Sequence, residues 1–95
     1  MIKTEIRSQL KGMKGILSLD CLPCGRVARV LDVDANHAAG ERFLALGLLP
    51  GGEVTVDRVA PLGDPIAIRV GSLRLAIRRR DAACIRLTFE KRDEP

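Results

Sequence analysis

From Arg26 onward the chain alternates between apolar and polar positions in short runs, and clusters of Gly, Pro and Asp separate the runs. "RVARVLDVD", Arg26 to Asp34, is rich in β-branched residues and predicts a first strand. Its neighbouring apolar pair, Val30 and Leu31, breaks the alternation and predicts a bulge or burial on both sides. "EVTVDRVA" predicts a second strand, with Val54 and Val56 on one face and Thr55 and Asp57 on the other. Ile66, Ile68 and Val70 mark a third. Gly71-Ser72 fits a two-residue hairpin turn with glycine first. The returning fourth strand sets Leu73, Leu75 and Ile77 inward and Arg74, Ala76 and Arg78 outward. "RRRDAAC" reads as a polar turn with at most one helical turn. A fifth strand then has Ile85, Leu87 and Phe89 inward and Cys84 on the opposite face.

Between the first two strands the pattern changes period. Asn36 is a suitable helix N-cap, and Ala39, Phe43 and Leu46 share one helical face. Gly47 supplies a left-handed closing residue and Pro50 prevents continuation. Upstream, Pro23 and Gly25 make "SLDCLPCG" a turn region. In the first fifteen residues Ile2, Ile6 and Leu10 recur every four positions, which predicts a short amphipathic helix or a solvated basic arm. The reading is a mainly β domain: a small five-stranded SH3-like barrel with one short α-helix between the first and second strands. An OB-type barrel usually sets its helix between strands three and four, which this pattern does not match. The expected organisation is a basic arm or short helix over residues 1–15, the barrel over 16–90, and a polar tail over 91–95.

The loop before the third strand, "APLGDPI", is stiff by composition. Pro61 and Pro65 each fix φ near −65°, and Ala60 and Asp64 precede prolines and so favour extended backbone. Gly63 is the residue free to turn either way. Leu62 has two readings: a plug that closes the barrel end, or a side chain presented to a partner.

Composition narrows the function. A chain of 95 residues, 46% hydrophobic, forms one domain with a modest core. With two Phe and neither Tyr nor Trp, that core is aliphatic. The net charge of +4 permits weak attraction to nucleic acid, anionic lipid or an acidic protein and does not choose among them. Without aromatic stacking platforms, nucleic acid is not the expected partner. No run approaches a membrane span, and the N-terminus lacks a secretory pattern, so a cytoplasmic protein with free thiols is expected.

No nucleophile elbow, Walker loop or dinucleotide fingerprint occurs, so no enzymatic activity is expected. Two features carry chemistry. "CLPC" places Cys21 and Cys24 at a spacing that lets two thiolates share one ion. His37 and Glu41 fall four apart on the predicted helix and complete a candidate zinc or ferrous iron set. The bland alternative is two turn cysteines and a solvated histidine. The second feature is arginine density: Arg74, Arg78 and Arg86, all outward on what read as neighbouring strands, form a candidate anion patch or simply a solvated exterior.

The stretch "RFLALGLLPGGEVTVDRVAPLGDPIAIRV", followed by "LRLAIRRRDAACIRL" and preceded by "LSLDCLPCGRVARV", resembles the FeoA family, small cytosolic accessory proteins of bacterial ferrous iron uptake. The pieces that carry the resemblance are Arg42, "LALGLLPG", "APLGDPI" and "LAIRRRDA", in that order. It implies an SH3-like barrel, no enzymatic activity, no required cofactor, and a partner in FeoB, the membrane transporter with a cytosolic GTPase domain. The candidate partner surface is Arg42, Leu62, Asp64, Arg78 and Arg79, with a salt bridge as the alternative role for Arg42. The "CLPC" pair and the first fifteen residues fall outside the resemblance. A second reading is therefore a metal-responsive module in which zinc or ferrous iron orders the helix or joins two copies as a homodimer. An SH3-like fold does not itself imply proline-peptide binding, because that mode needs an aromatic groove.

Overall fold

The computed structural model describes residues 14–90. The expected tail, and the expected arm apart from Lys14 and Gly15, lie outside those residues. Six antiparallel strands make one sheet: β1 (Lys14–Ser18), β2 (Val27–Val33), β3 (Glu53–Val59), β4 (Ile66–Val70), β5 (Leu73–Ile77) and β6 (Ile85–Glu90). Their order across the sheet is β1-β6-β2-β3-β4-β5. A single 3-10 turn, Leu19–Cys21, follows β1. Helix α1 (Gly40–Leu46) lies between β2 and β3, and the one-turn helix α2 (Arg79–Ala82) between β5 and β6. The SH3-like barrel expected from the sequence stands, with a sixth strand added in front.

That sixth strand is β1, which the sequence pattern does not announce. It is made by its partner: Lys14 to Ser18 run in register with Glu90 to Arg86. Gly15 sits opposite Phe89, and a Cβ on Gly15 would lie 2.3 Å from the Phe89 ring. The ring therefore occupies the space that a side chain at position 15 would need.

The inward residues form one apolar core. Val30, Val54, Val56, Ile66, Ile68, Ile85 and Leu87 are at most 2% exposed, and Phe43, Leu19 and Leu48 join them at 0%. Each such side chain contributes about 1.5–3 kcal/mol on burial. The bulge expected in the first strand is present, as a register shift between Val30 and Asp32. A second shift, between Val56 and Arg58 in β3, has no counterpart in the sequence reading. The hairpin turn is as expected: Gly71 has φ +60° and Val70 pairs with Leu73.

Three expectations are corrected. The helix starts at Gly40, not after Asn36. The Asn36 amide donates to Asp34 Oδ1 at 2.9 Å and the Ala39 amide to His37 Nδ1 at 3.1 Å, so residues 34–39 are tied into turns instead. Leu46 is 42% exposed, and Leu48, beyond the Gly47 cap at φ +106°, fills the core in its place. Cys84 is buried, because it lies in the turn before β6 and the strand's alternation does not reach it.

Candidate docking surface

The loop between β3 and β4 is held from both sides. Within it, the Ala60 amide donates to the Pro65 carbonyl at 3.1 Å and the Gly63 amide to the Ala60 carbonyl at 2.7 Å. Gly63 takes φ +88°, which a side chain would resist. The Asp64–Pro65 peptide is cis. From outside, Arg79 braces the loop. Its amide donates to Asp64 Oδ1 at 2.9 Å and its guanidinium Nε to the Gly63 carbonyl. The same guanidinium reaches the Asp20 carbonyl at 2.6 Å through Nη1. One arginine thus ties the 60–65 loop to the 3-10 turn after β1. Asp64 in turn satisfies the first free amide of α2, which lacks a cap on its own chain side.

Leu62, at the tip of this braced loop, is 97% exposed. It is therefore not a plug of the barrel end. It is a large apolar side chain held out in water on a loop that Arg79 braces. Of the other candidate surface residues, Arg78 and Asp64 are exposed and Arg79 is half-buried; Asp64 gives Oδ1 to the brace, and Arg79 its amide, Nε and Nη1. Arg42 is exposed on α1 with its guanidinium carbon 5.3 Å from the Phe43 ring centroid; among the described residues it forms no ion pair. The bracing role of Arg79 was hidden in the sequence. Within "RRR" it looks like its neighbours, and its acceptors lie 15 to 59 residues away.

The arginine patch is rearranged. Strands β5 and β6 are not neighbours, so Arg74 and Arg86 do not share a surface across adjacent strands. Arg86 is committed to Asp32 on β2: its Nε donates to Oδ1 at 2.8 Å and Nη2 to Oδ2. That bidentate pairing holds the Asp32 carboxyl below its usual range and raises the Arg86 guanidinium further. Arg29 pairs with Glu53 at 3.4 Å and Arg69 with Asp57 at 3.5 Å. Arg74, Arg78 and Arg80 are exposed, and none forms an ion pair among the described residues.

The candidate metal set is not assembled. No three His, Cys, Asp or Glu side chains come together to hold an ion among the described residues. His37 precedes α1, so it and Glu41 do not share a helical face. Its Nδ1 is already an acceptor for the Ala39 amide. Cys21 and Cys24 are exposed free thiols with different neighbours: Ser18 Oγ lies 3.6 Å from Cys21 Sγ, and Cys24 Sγ donates to the Asp57 carbonyl at 3.4 Å.

No helix among the described residues is long and apolar enough to cross a membrane. Residues 17–88 match the FeoA domain family. The Fe(2+) transport protein A/Fe(2+) transporter FeoB fusion protein of Porphyromonas gingivalis is 33% identical over 69 residues, covering 73% of this chain. The chain spans only 8% of that fusion protein. The solution structure of the FeoA protein from Chlorobium tepidum is 39% identical with a TM-score of 0.66, covering 73% of this chain and 66% of that one. Stenotrophomonas maltophilia FeoA, solved in complex with zinc and described as an SH3 domain protein, is 29% identical with a TM-score of 0.68. There the cover is 79% of this chain and 98% of the other. A family match over residues 17–88, and solved FeoA proteins with the same fold, make this chain a member of the FeoA family.

Proposed function

We propose that this protein is a non-catalytic accessory factor of ferrous iron uptake that docks on the cytosolic GTPase domain of a FeoB-type transporter. The observation that carries the reading is Leu62, 97% exposed on a loop immobilised by Arg79. A rigid loop loses little conformational freedom on binding, so an apolar anchor there converts more of its burial into affinity. Arg78, exposed and next in sequence to the bracing Arg79, favours an acidic rim on the partner. Asp64 and Arg79 act behind it by holding the loop, and Arg42 on α1 offers a second polar contact. The fusion of the two kinds of domain in the Porphyromonas gingivalis relative supports association, because a shared chain raises the effective concentration of two units that act together.

The test is binding of the purified chain to the transporter's cytosolic domain, with and without guanine nucleotide, by calorimetry. A dissociation constant in the micromolar range, lost in Leu62→Ala at unchanged fold, is the expected result. No binding at tens of micromolar in either nucleotide state overturns the reading.

A further inference from the structure

The hairpin of β4 and β5 leaves one row of backbone groups unused. Val70 and Leu73 flank the two-residue turn and so exchange hydrogen bonds across it, as do Ile68 with Leu75 and Ile66 with Ile77. By the same alternation, the amides and carbonyls of Arg74 and Ala76 point away from β4. Strand β5 ends the sheet order, so among the described residues no strand takes up those groups. Both residues are exposed. An open strand edge is a template for another strand, and proteins usually blunt it.

The one charged side chain of β5 is Arg74, and Arg78 and Arg80 follow just beyond the strand, ahead of Asp81. Arg74 stands directly across from Arg69, a like-charge pair. Arg69 is answered by Asp57 at 3.5 Å, but Arg74 has no acidic partner among the described residues, nor have Arg78 and Arg80 just beyond the strand. Leu62 belongs to this end of the molecule, since Gly63 and Asp64 are bonded to Arg79.

We propose that the β5 edge binds an extended acidic segment of a partner protein as an added strand. Arg74, Arg78 and Arg80 receive its carboxylates, and Leu62 receives an apolar residue at one end. The charge selects this occupant over the others. Residues 1–13 bring Lys3, Arg7 and Lys11 against a single Glu5, the wrong sign for this edge. A second copy of the chain paired edge to edge would set the same arginines against each other. A nucleic acid would suit the arginines but has no main-chain donor and acceptor row to match Arg74 and Ala76. The inference rests on the docking reading above for Leu62 and adds the mode of binding and the chemistry of the partner.

Ala76→Pro is the discriminating variant. It removes the outward amide, and proline is tolerated on an edge strand where the N–H faces solvent. Two probes are used: a ten-residue peptide of alternating Glu and Val, and the transporter's cytosolic domain. With either one, the amides of Arg74 and Ala76 gain protection from hydrogen exchange. Affinity falls about tenfold or more in Ala76→Pro and in Arg74→Glu, since each removes part of the main-chain or charge contact. N-methylation of alternate peptide residues abolishes binding to the unaltered chain, which keeps the test valid if Ala76→Pro misfolds. If neither probe protects Arg74 and Ala76, the inference is overturned. If a duplex oligonucleotide binds in an Arg74-dependent but Ala76→Pro-insensitive way, and the peptide does not bind, it is overturned as well. If the cytosolic domain binds with these amides unprotected, the docking reading survives and the strand-edge mode fails. If only the peptide binds at the edge, the edge mode stands and the transporter reading fails.

Discussion

Asp64 reaches across the barrel end to cap Arg79: the Arg79 amide donates to Asp64 Oδ1 at 2.9 Å. A loop residue thereby starts a helix that belongs to a different part of the chain, and the helix in turn fixes the loop. Removing the acceptor should loosen both. Asp64→Ala is expected to cost about 1 kcal/mol, the usual worth of a helix cap, while Asp64→Asn keeps the acceptor and most of the stability. Denaturant unfolding of the two variants checks this; equal losses would mean that the charge, not the hydrogen bond, matters.

Leu62→Ala should change the free energy of unfolding by less than about 0.5 kcal/mol, because a side chain already in water leaves no cavity. It should nevertheless weaken partner binding. A stability loss in the range of a core truncation, about 2–5 kcal/mol, would return Leu62 to a packing role.

Gly40 is required by its surroundings. A Cβ there would lie 2.0 Å from the Asp34 carbonyl oxygen, a backbone atom that cannot swing aside as a side chain would. Gly40→Ala is expected to destabilise by about 2 kcal/mol or more, despite alanine's better helix propensity. Thermal unfolding decides between the clash and the propensity.

The Asp32–Arg86 pair gives a pH dependence of known sign. Asp32 ionises more readily in the folded chain than in the unfolded one, chiefly because Arg86 hydrogen-bonds to it. Its contribution to stability is therefore complete above the ordinary carboxylate range and is lost as pH falls through the lowered folded value. Asp32→Asn should melt below the unaltered protein at neutral pH, and the gap should close in acid. A gap that stays constant with pH would show that the pair acts only through its geometry.

The thiols should separate into two classes. Cys21 and Cys24 are exposed, and Cys84 is buried, where desolvation first and then Asp34 and Asp81 push its thiol up. An alkylating reagent followed by mass spectrometry should add two groups quickly and the third only on unfolding. Rapid labelling of Cys84 in the folded protein would contradict the packing described here.

How far a sequence can be read depends on the range of the forces involved. The β4–β5 hairpin was readable because Gly71-Ser72 and the alternation on either side are local signals, whereas the adjacent apolar pair Val30-Leu31 allowed a bulge or burial on both sides and only the pairing with β6 shows the bulge. Strand β1 was not, since Lys14 to Ser18 become a strand through β6, seventy or so positions away in sequence. The helix start was misread because Asn36 carries the chemistry of a cap and of a turn alike, and Asp34 decides for the turn. At the candidate site, the stiffness of the 60–65 loop followed from its prolines. The exposure of Leu62 and the bracing by Arg79 did not, because both depend on where distant carbonyls lie. The candidate metal set is not drawn together among the described residues for a related reason: ligand spacing counts residues but does not know where the backbone turns.

The register of β1 with β6 sets Lys14 beside Glu90, so the two ends of the described barrel leave it at one place. A linker attached to either end would start from the same spot on the surface. The domain can therefore be joined at its front, at its back, or inserted as a loop into a larger protein, without turning the 60–65 loop to a new direction. For a module whose relatives include a fusion to a transporter, that makes the barrel portable.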